Sequence, residues 1–544
     1  MREALRGPDR LPRNITAMAL TRHVRGGAGD RPALRWRPRS GPPVEYSYLD
    51  LDHAVSRFAS GLAREGIRPG ETVAVLAGRI PELVVAVLGA LRAGAVVTVL
   101  FSSFGPDPVA RRLARSRARL LVTTPRLYRE KVAPARAELP FLARVLLVDH
   151  PGRLEAAADG ACPEGTQAMG SWLALGDPGV PDEDVDPEHL GLLHFTSGTT
   201  GEPKGVVHVH DAVVAHAYTA ERVLGLGGGT RYWCTADPGW VTGISYGILG
   251  PLATGSTVFM DEDEFDPTRW WENLEREGIQ VLYTSPTALR LLRRMTSTGS
   301  ARPDLPLLQS VFTVGEPLAP AESRWGREVM GVPVRDTWWQ TETGCIVVAT
   351  PFDGEVREGF IGRALPPFEV ACLVADGEKT RPARPDEVGE LCVRRGWPSM
   401  FRAYLDDPDL YRRSFAGDWY RSGDVAEMHA GGWVHFLARH GDAFKSAGHM
   451  VAPVEVEAVL LDHPAVVDAA VAGRSDELAG TVIEAHVVLA AEAEDTDGLV
   501  RDILAFARSR LGPALAPRVV HVRTHLPRTP SGKIVRQHLS RPSP

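Results

Sequence analysis

The stretch Glu71–Phe101, ETVAVLAGRIPELVVAVLGALRAGAVVTVLF, leaves this chain little choice of fold. A β-branched run ends at the turn residues Gly78 to Pro81, an apolar segment of helical length follows, Gly94 stops it, and a second β-branched run returns. Two strands joined by such a helix lie parallel in one sheet, with the helix laid across a face. The rhythm recurs downstream. RYWCTAD predicts a strand, DPTRWWENLEREG a helix stopping at Gly278, IQVLYTSP a strand and TALRLLRRM a helix. LQSVFTVG and VPVRDTWW predict two further strands running into loops. From about Phe368 the texture turns to short strands with Gly and Pro turns, which predicts a smaller β-rich subdomain. The stretch from Trp433 then alternates strand, loop and helix, as the start of an α+β tail of about 100 residues.

At 544 residues the chain exceeds what one core serves, so several domains are expected. A net charge of −7 over this length argues against nucleic acid as a partner. The five cysteines are scattered and never form a CxxC pair, which reads as free thiols in a reducing cytosol and argues against a zinc site. The N-terminus lacks a continuous apolar signal segment, and the most apolar stretch, Leu83 to Phe101, is interrupted by Arg92 and glycines. No membrane span and a cytoplasmic location are expected. Lysine is scarce: only Lys131, Lys204, Lys379, Lys445 and Lys533 occur, in a chain that otherwise uses arginine. A retained lysine suits a place that needs a compact point charge rather than a planar fork.

Two of those lysines sit in polar, glycine-bearing runs. HFTSGTTGEPKGVVH, His194 to His208, fails the Walker A spacing, because Pro203 stands where the second Gly belongs and Gly205 follows Lys204. Its chemistry still suits a polyanion. Backbone amides freed by Gly198, Gly201 and Gly205, the hydroxyls of Thr196, Ser197, Thr199 and Thr200, and the charge of Lys204 can line phosphates. Taken alone, the run also fits a polar loop between two strands. The neighbouring His194, His208 and His210 read as strand and helix-start residues without chemistry.

Further on come WWQTETG (Trp338–Gly344), YRSGD (Tyr420–Asp424) and PRTPSGKI (Pro527–Ile534). With these four motifs in this order, the chain resembles the adenylate-forming enzymes: acyl-CoA synthetases, peptide-synthetase adenylation domains and beetle luciferases. CTADPGWVTGISYGILGPL, TVGEPLAP and DTWWQTETG resemble most the acetyl-CoA synthetases, in a shorter form. The resemblance spans about residues 30 to 540. It implies an α/β fold with a large N-terminal domain of helix-covered, mostly parallel sheets plus the β-rich subdomain (1–440). A small mobile α+β C-terminal domain (441–544) would carry a catalytic lysine. It also implies ATP, Mg²⁺ and coenzyme A, and ligation of a short carboxylate through an acyl-AMP with loss of pyrophosphate.

Carried over by position, the resemblance gives each motif a part. Thr196, Ser197, Gly198, Thr199, Thr200, Gly201 and Lys204 would hold the β- and γ-phosphates. Glu342 would bind Mg²⁺, an ion that prefers oxygen ligands, and Thr341 would touch the α-phosphate. Gly315, Glu316 and Pro317, with Asp336, Thr337, Trp338 and Gln340, would frame the adenine. Asp424 would accept the ribose hydroxyls, and Arg439 would support ribose or phosphate. Lys533 would bridge the carboxylate and the α-phosphate, and it is the family's usual place for inhibitory acetylation, which would make an acetyltransferase and a deacetylase partners.

Trp339 would close the acyl pocket, with Val241, Thr242 and Val314 as its other walls, so acetate is expected first and propionate second. Two positions depart from the family pattern. Gly441 stands at the hinge where an acidic residue is usual, and Met450 stands where the acetyl-CoA synthetases carry an arginine that contacts nucleotide phosphate. Gly448, which would pass close to the pantetheine of coenzyme A, is kept. The departures leave open a biosynthetic adenylate-former that hands the acyl group to a carrier protein or an amine.

Overall fold

The structure is a computed structural model that describes residues 14–539. Within that span 155–161, 197–202, 297–303, 377–378, 441, 443, 447–448, 477–479, 491–492, 494–495 and 530–533 lie outside the described residues. The stretch that most constrained the sequence folds as read. Strands Thr72–Leu76 and Val96–Val99 pair in parallel, and the intervening helix Pro81–Arg92 is buried along its whole length. Gly94 ends that helix at φ 70°, a conformation in which a Cβ is strained.

These strands belong to an eight-stranded sheet whose parallel part runs through Leu190–Thr196, Val96–Val99, Thr72–Leu76, Leu120–Thr123, Arg144–Leu147 and Thr166–Ala168. Lys204–Val209 and the short Ala403–Tyr404 extend it in antiparallel fashion. A second sheet has fifteen strands. Its parallel part comprises Val334–Trp338, Ser310–Thr313, Val281–Thr284, Arg231–Cys234, Thr257–Asp261 and Pro32–Arg37. The β-rich stretch after residue 368 is hydrogen-bonded into this same sheet. The ladder passes from Val334–Trp338 through Val348–Ala349 and Gly362–Ala364 to Trp433–Arg439 and Trp419–His429.

Trp433–Arg439 thus closes the large sheet instead of opening the tail. Among the described residues, strands after Arg439 pair only with one another: Phe444–Ser446 with His449–Val451, and Val466–Asp476, Gly480–Leu489 and Val519–Val522 as a three-stranded sheet. Helices Pro453–Leu461 and Asp497–Leu515 cover that small sheet around an apolar core of its own. The molecule is a large α/β unit followed by a small α+β unit. All five cysteines are free, and among the described residues no helix is long and apolar enough to cross a membrane.

Candidate active site

Three strands of the large parallel sheet end at the same edge, and each runs straight into candidate residues. Arg231–Cys234 leads to Val241 and Thr242, Ser310–Thr313 to Val314 and Gly315, and Val334–Trp338 to Trp339, Gln340, Thr341 and Glu342. The carboxyl edge of a parallel sheet is where loops diverge and leave a crevice. Facing it from the other sheet is the hairpin of Leu190–Thr196 and Lys204–Val209, with Thr196 opposite Lys204. Residues 197–201, assigned to the phosphates, lie outside the described residues.

Alternation along Val334–Trp338 sorts the side chains that follow. On one side, Asp336 is buried and accepts from Thr313 Oγ1 (3.0 Å), its neighbour's Thr337 N (2.9 Å) and Leu318 N (3.2 Å). It thereby fixes the Gly315–Leu318 loop, whose Gly315 sits at φ 93°. Burial pushes its carboxyl up to about 7, against the pull of those donors. Two residues on, the Trp338 indole N–H donates to Asp424 Oδ2 at 2.8 Å.

Asp424 is buried, and its partners converge from three directions. Gln340 Nε2 donates to the same Oδ2 at 2.8 Å and to Ser422 O at 2.9 Å, while Tyr420 OH holds the Gln340 carbonyl at 2.8 Å. Arg439, opposite Asp424 in the strand register, brings Nε to 2.9 Å of Oδ1. That Oδ1 still lacks a well-directed hydrogen bond among the described residues, as suits a carboxylate oxygen waiting for a hydroxyl donor.

On the other side of the strand, Thr337 Oγ1 donates to Thr313 O at 2.7 Å and meets Tyr283 OH at 2.8 Å. Trp339 follows this face. Its indole N–H donates to Tyr283 OH at 3.0 Å, and its ring meets Tyr246 edge-on at 5.1 Å. Tyr246 OH is in turn held by Thr219 Oγ1 (2.6 Å) and Ile346 N (2.7 Å). Val241 and Val314 are half-buried and pack on the core cluster that contains Trp339. The indole is thus braced from behind.

Thr341 and Glu342 occupy a tight turn closed by Gly344 N–H on Gln340 O (3.0 Å) and Gln340 N–H on Thr343 Oγ1 (2.9 Å). Gly344 is required there: at φ 71°, a Cβ would lie 2.0 Å from Ser399 O. Tyr404 OH donates to Glu342 Oε1 at 2.8 Å, and among the described residues Oε2 accepts no hydrogen bond. Lys204 Nζ lies 5.8 Å from the Tyr404 ring centre, so the lysine of the phosphate run and the carboxylate of the turn flank one phenol. Burial and the Glu342 charge push that phenol well above the usual tyrosine range, keeping it a donor.

The Glu316 side chain is already engaged. It accepts from Thr287 Oγ1 (2.7 Å) and Arg290 (2.8 Å), with Arg528 at 3.9 Å. Arg528 also binds Asp468 at 2.7 Å and pairs with Ile534 in an isolated bridge that brackets the segment carrying Lys533. Lys533, Gly441 and Gly448 lie outside the described residues, as do the side chains of Lys445 and Met450. His194, His208 and His210 are buried, and desolvation holds His194 and His210 down at about 3, as neutral rings. Tyr246, Tyr283, Tyr404 and Arg528 escaped the sequence reading as site residues. Arg528 stood inside a quoted motif, whereas Tyr404 and Tyr283 join the site only through pairing between distant segments.

A family described as AMP-binding enzyme matches residues 20–405, and its C-terminal domain matches residues 455–533. The chain belongs to the AMP-binding enzyme family. It is 35% identical to an acetyl-coenzyme A synthetase of Bacillus subtilis (strain 168), over 97% of this chain and 90% of that one. An acyl-CoA synthetase of Brucella canis has a solved structure that is 33% identical, with a TM-score of 0.73 over 97% of this chain and 93% of that one. An anthranilate CoA ligase bound to anthranoyl-AMP, 23% identical, shares the fold at a TM-score of 0.87 over 98% and 97%. The chain is an AMP-forming acid–thiol ligase.

Proposed function

We propose that this enzyme joins a short carboxylate, acetate first and propionate second, to coenzyme A through an acyl adenylate, releasing pyrophosphate. The observation that carries the reading is the braced Trp339 at the crevice wall, directly beside the Asp424 cluster. In this reading the indole is the floor of the acyl pocket and limits the length of acid it admits. Similarity to acetyl-coenzyme A synthetases along nearly the whole chain supports the same choice.

In this reading a carboxylate oxygen attacks the α-phosphorus, the bond to the β-phosphate oxygen breaks, and pyrophosphate leaves. Asp424 accepts the ribose hydroxyls through Oδ1, while Trp338 and Gln340 hold Oδ2 still. The Asp336-fixed loop frames the base. Such in-line displacement needs positioning and charge neutralisation more than covalent help. Glu342 fits a hard cation: a half-buried carboxylate with Oε2 unclaimed, beside the phosphate run. Mg²⁺ held there with the nucleotide would neutralise phosphate charge. Lys533 would neutralise the approaching acid. A tail turning about Gly441 (domains 1–440 and 441–544) would then admit the thiol, whose sulfur takes the acyl group as AMP departs.

The test is product analysis with ATP, Mg²⁺ and coenzyme A over acetate, propionate, butyrate and benzoate. Acetyl-CoA and AMP in equal amounts, with yield falling as the acid lengthens, are expected. AMP and acyl adenylate without thioester, or a preference for benzoate, would overturn the reading.

A further inference from the structure

Away from the crevice, the hairpin of Trp419–His429 and Trp433–Arg439 carries a second group of chemistry-bearing side chains that the proposed reaction does not use. Glu427 and His429 are two apart on one strand and share a face, and His435 stands opposite Glu427 in the register. His429 Nε2 is 3.2 Å from Glu427 Oε2, His435 Nδ1 is 3.8 Å from the same oxygen, and one ligand atom from each of the three lies within 4.8 Å of the others. Ligands at zinc distances of about 2.1 Å in a tetrahedron stand about 3.4 Å apart, so small side-chain shifts bring all three onto one ion.

The contacts on the two ring nitrogens of His429 differ. His429 Nδ1 lies 2.7 Å from Asp386 Oδ1. On the other side of the ring, buried Nε2 has no hydrogen-bond partner among the described residues, although it lies 3.2 Å from Glu427 Oε2. A carboxylate behind a histidine that turns its other nitrogen outward is the usual support of a metal ligand. Asp386 is held for this role by its own backbone, with φ at 65° and its N–H on Met428 O at 3.1 Å. The charge balance agrees. Glu427, Asp386 and Glu455 of the tail helix, which feels the Glu427 charge, bring three carboxylates to this corner, while the Arg357 guanidinium stacks on Phe360 at 4.0 Å.

We propose that Glu427, His429 and His435 form a binding site for a single divalent transition-metal ion, with Zn²⁺ the best fit to two imidazoles and a carboxylate and Asp386 as the outer support. The site goes beyond the ligase reading. It lies about three residues, or about 10 Å, along the strand from Asp424. It also adjoins helix Pro453–Leu461, so an ion there would stiffen the junction from which the tail extends. The other histidine cluster, Glu484, His486 and His521, does not qualify. Arg523 donates to His486 Nδ1 at 3.3 Å, which puts the neutral ring's proton on the nitrogen facing Glu484, and Arg474 lies 3.6 Å from that carboxylate.

The test uses the full chain, dialysed against chelator, free of nucleotide, and titrated with Co²⁺ and then Zn²⁺. Expected are one tightly held Co²⁺ per chain with visible d–d absorption, displacement by Zn²⁺, and loss of both in the His429→Ala/His435→Ala double variant. Asp386→Asn should bind about 10–100-fold more weakly, and His486→Ala should bind as wild type does. Thermal melting without metal checks that each variant folds; should the double variant not fold, Glu427→Gln and Asp386→Asn carry the test. Absence of a visible band in the wild type, a band persisting in the double variant, or unchanged affinity in Asp386→Asn would overturn the site.

Discussion

Trp338 and Trp339 are neighbours in the chain and work in opposite ways. The first turns its N–H to a buried carboxylate in a network where nearly every polar atom has an assigned partner. The second turns into an aromatic wall, where a single hydrogen bond to Tyr283 sets its angle and packing does the rest. Strand alternation alone separates them. The difference teaches how one edge of one sheet can recognise two unlike molecules. In the proposed reading, the adenosine side would select by hydrogen bonds, which reject a ligand that leaves buried groups unpaired, while the acyl side would select by overlap, which grades acids by length.

The sharpest way to break this division is at the point where the two sides meet. Lys533→Ala should lower acid-dependent adenylation by about 10²–10³-fold or more, the scale of losing one preorganised charge at a reacting centre. Thioester formation from supplied acetyl-AMP should stay within a few-fold, and equal loss of both steps in rapid-quench measurements would contradict the assignment. On the acyl side, Trp339→Gly should shift the acetate-to-butyrate ratio of kcat/KM by about 10–200-fold while leaving the KM for ATP nearly unchanged. On the adenosine side, Asp424→Asn should do the converse: about 10–100-fold lower kcat/KM for ATP, with the order of acids preserved. If either variant moved both profiles, the two walls would not be separate readers.

The smallest effect concerns Asp336 and pH. Burial raises its carboxyl from 3.8 to about 7, so between those values the folded chain keeps a proton that the unfolded chain has released. The group's contribution to stability is therefore full below pH 3.8 and is lost as pH rises through about 7. In Asp336→Asn that dependence vanishes. The melting-temperature difference between wild type and variant should then move in the variant's favour from about pH 4 to pH 7, and a constant difference would show that the three donors outweigh burial.

The sequence was most legible where physics is local. β-branched runs, a helix-length apolar segment and glycine stops placed the strands at Thr72–Leu76, Val96–Val99, Arg231–Cys234, Val281–Thr284, Ser310–Thr313 and Val334–Trp338, and a family resemblance on four motifs named Asp424, Glu342 and Trp339 as candidates. Pairing at long range was not legible. Nothing local announces that the strands after residue 368 extend the parallel sheet through two short ladders, or that Tyr404 reaches Glu342 by joining the other sheet. Glu316 shows the limit from the opposite side: position named it for the adenine, and Arg290 and Thr287 engage its carboxylate elsewhere. The closing histidine cluster has no motif at all, because its ligands are set two apart on one strand and across the ladder.

The account rests on a short acid being activated as its adenylate at this sheet edge, and acid-dependent exchange of labelled pyrophosphate into ATP measures that step without the thiol. Wild-type enzyme with Mg²⁺ should exchange rapidly with acetate, more slowly with propionate and barely with butyrate, and Lys533→Ala should not exchange. No exchange with any short acid, or exchange that ignores which acid is supplied, would contradict it.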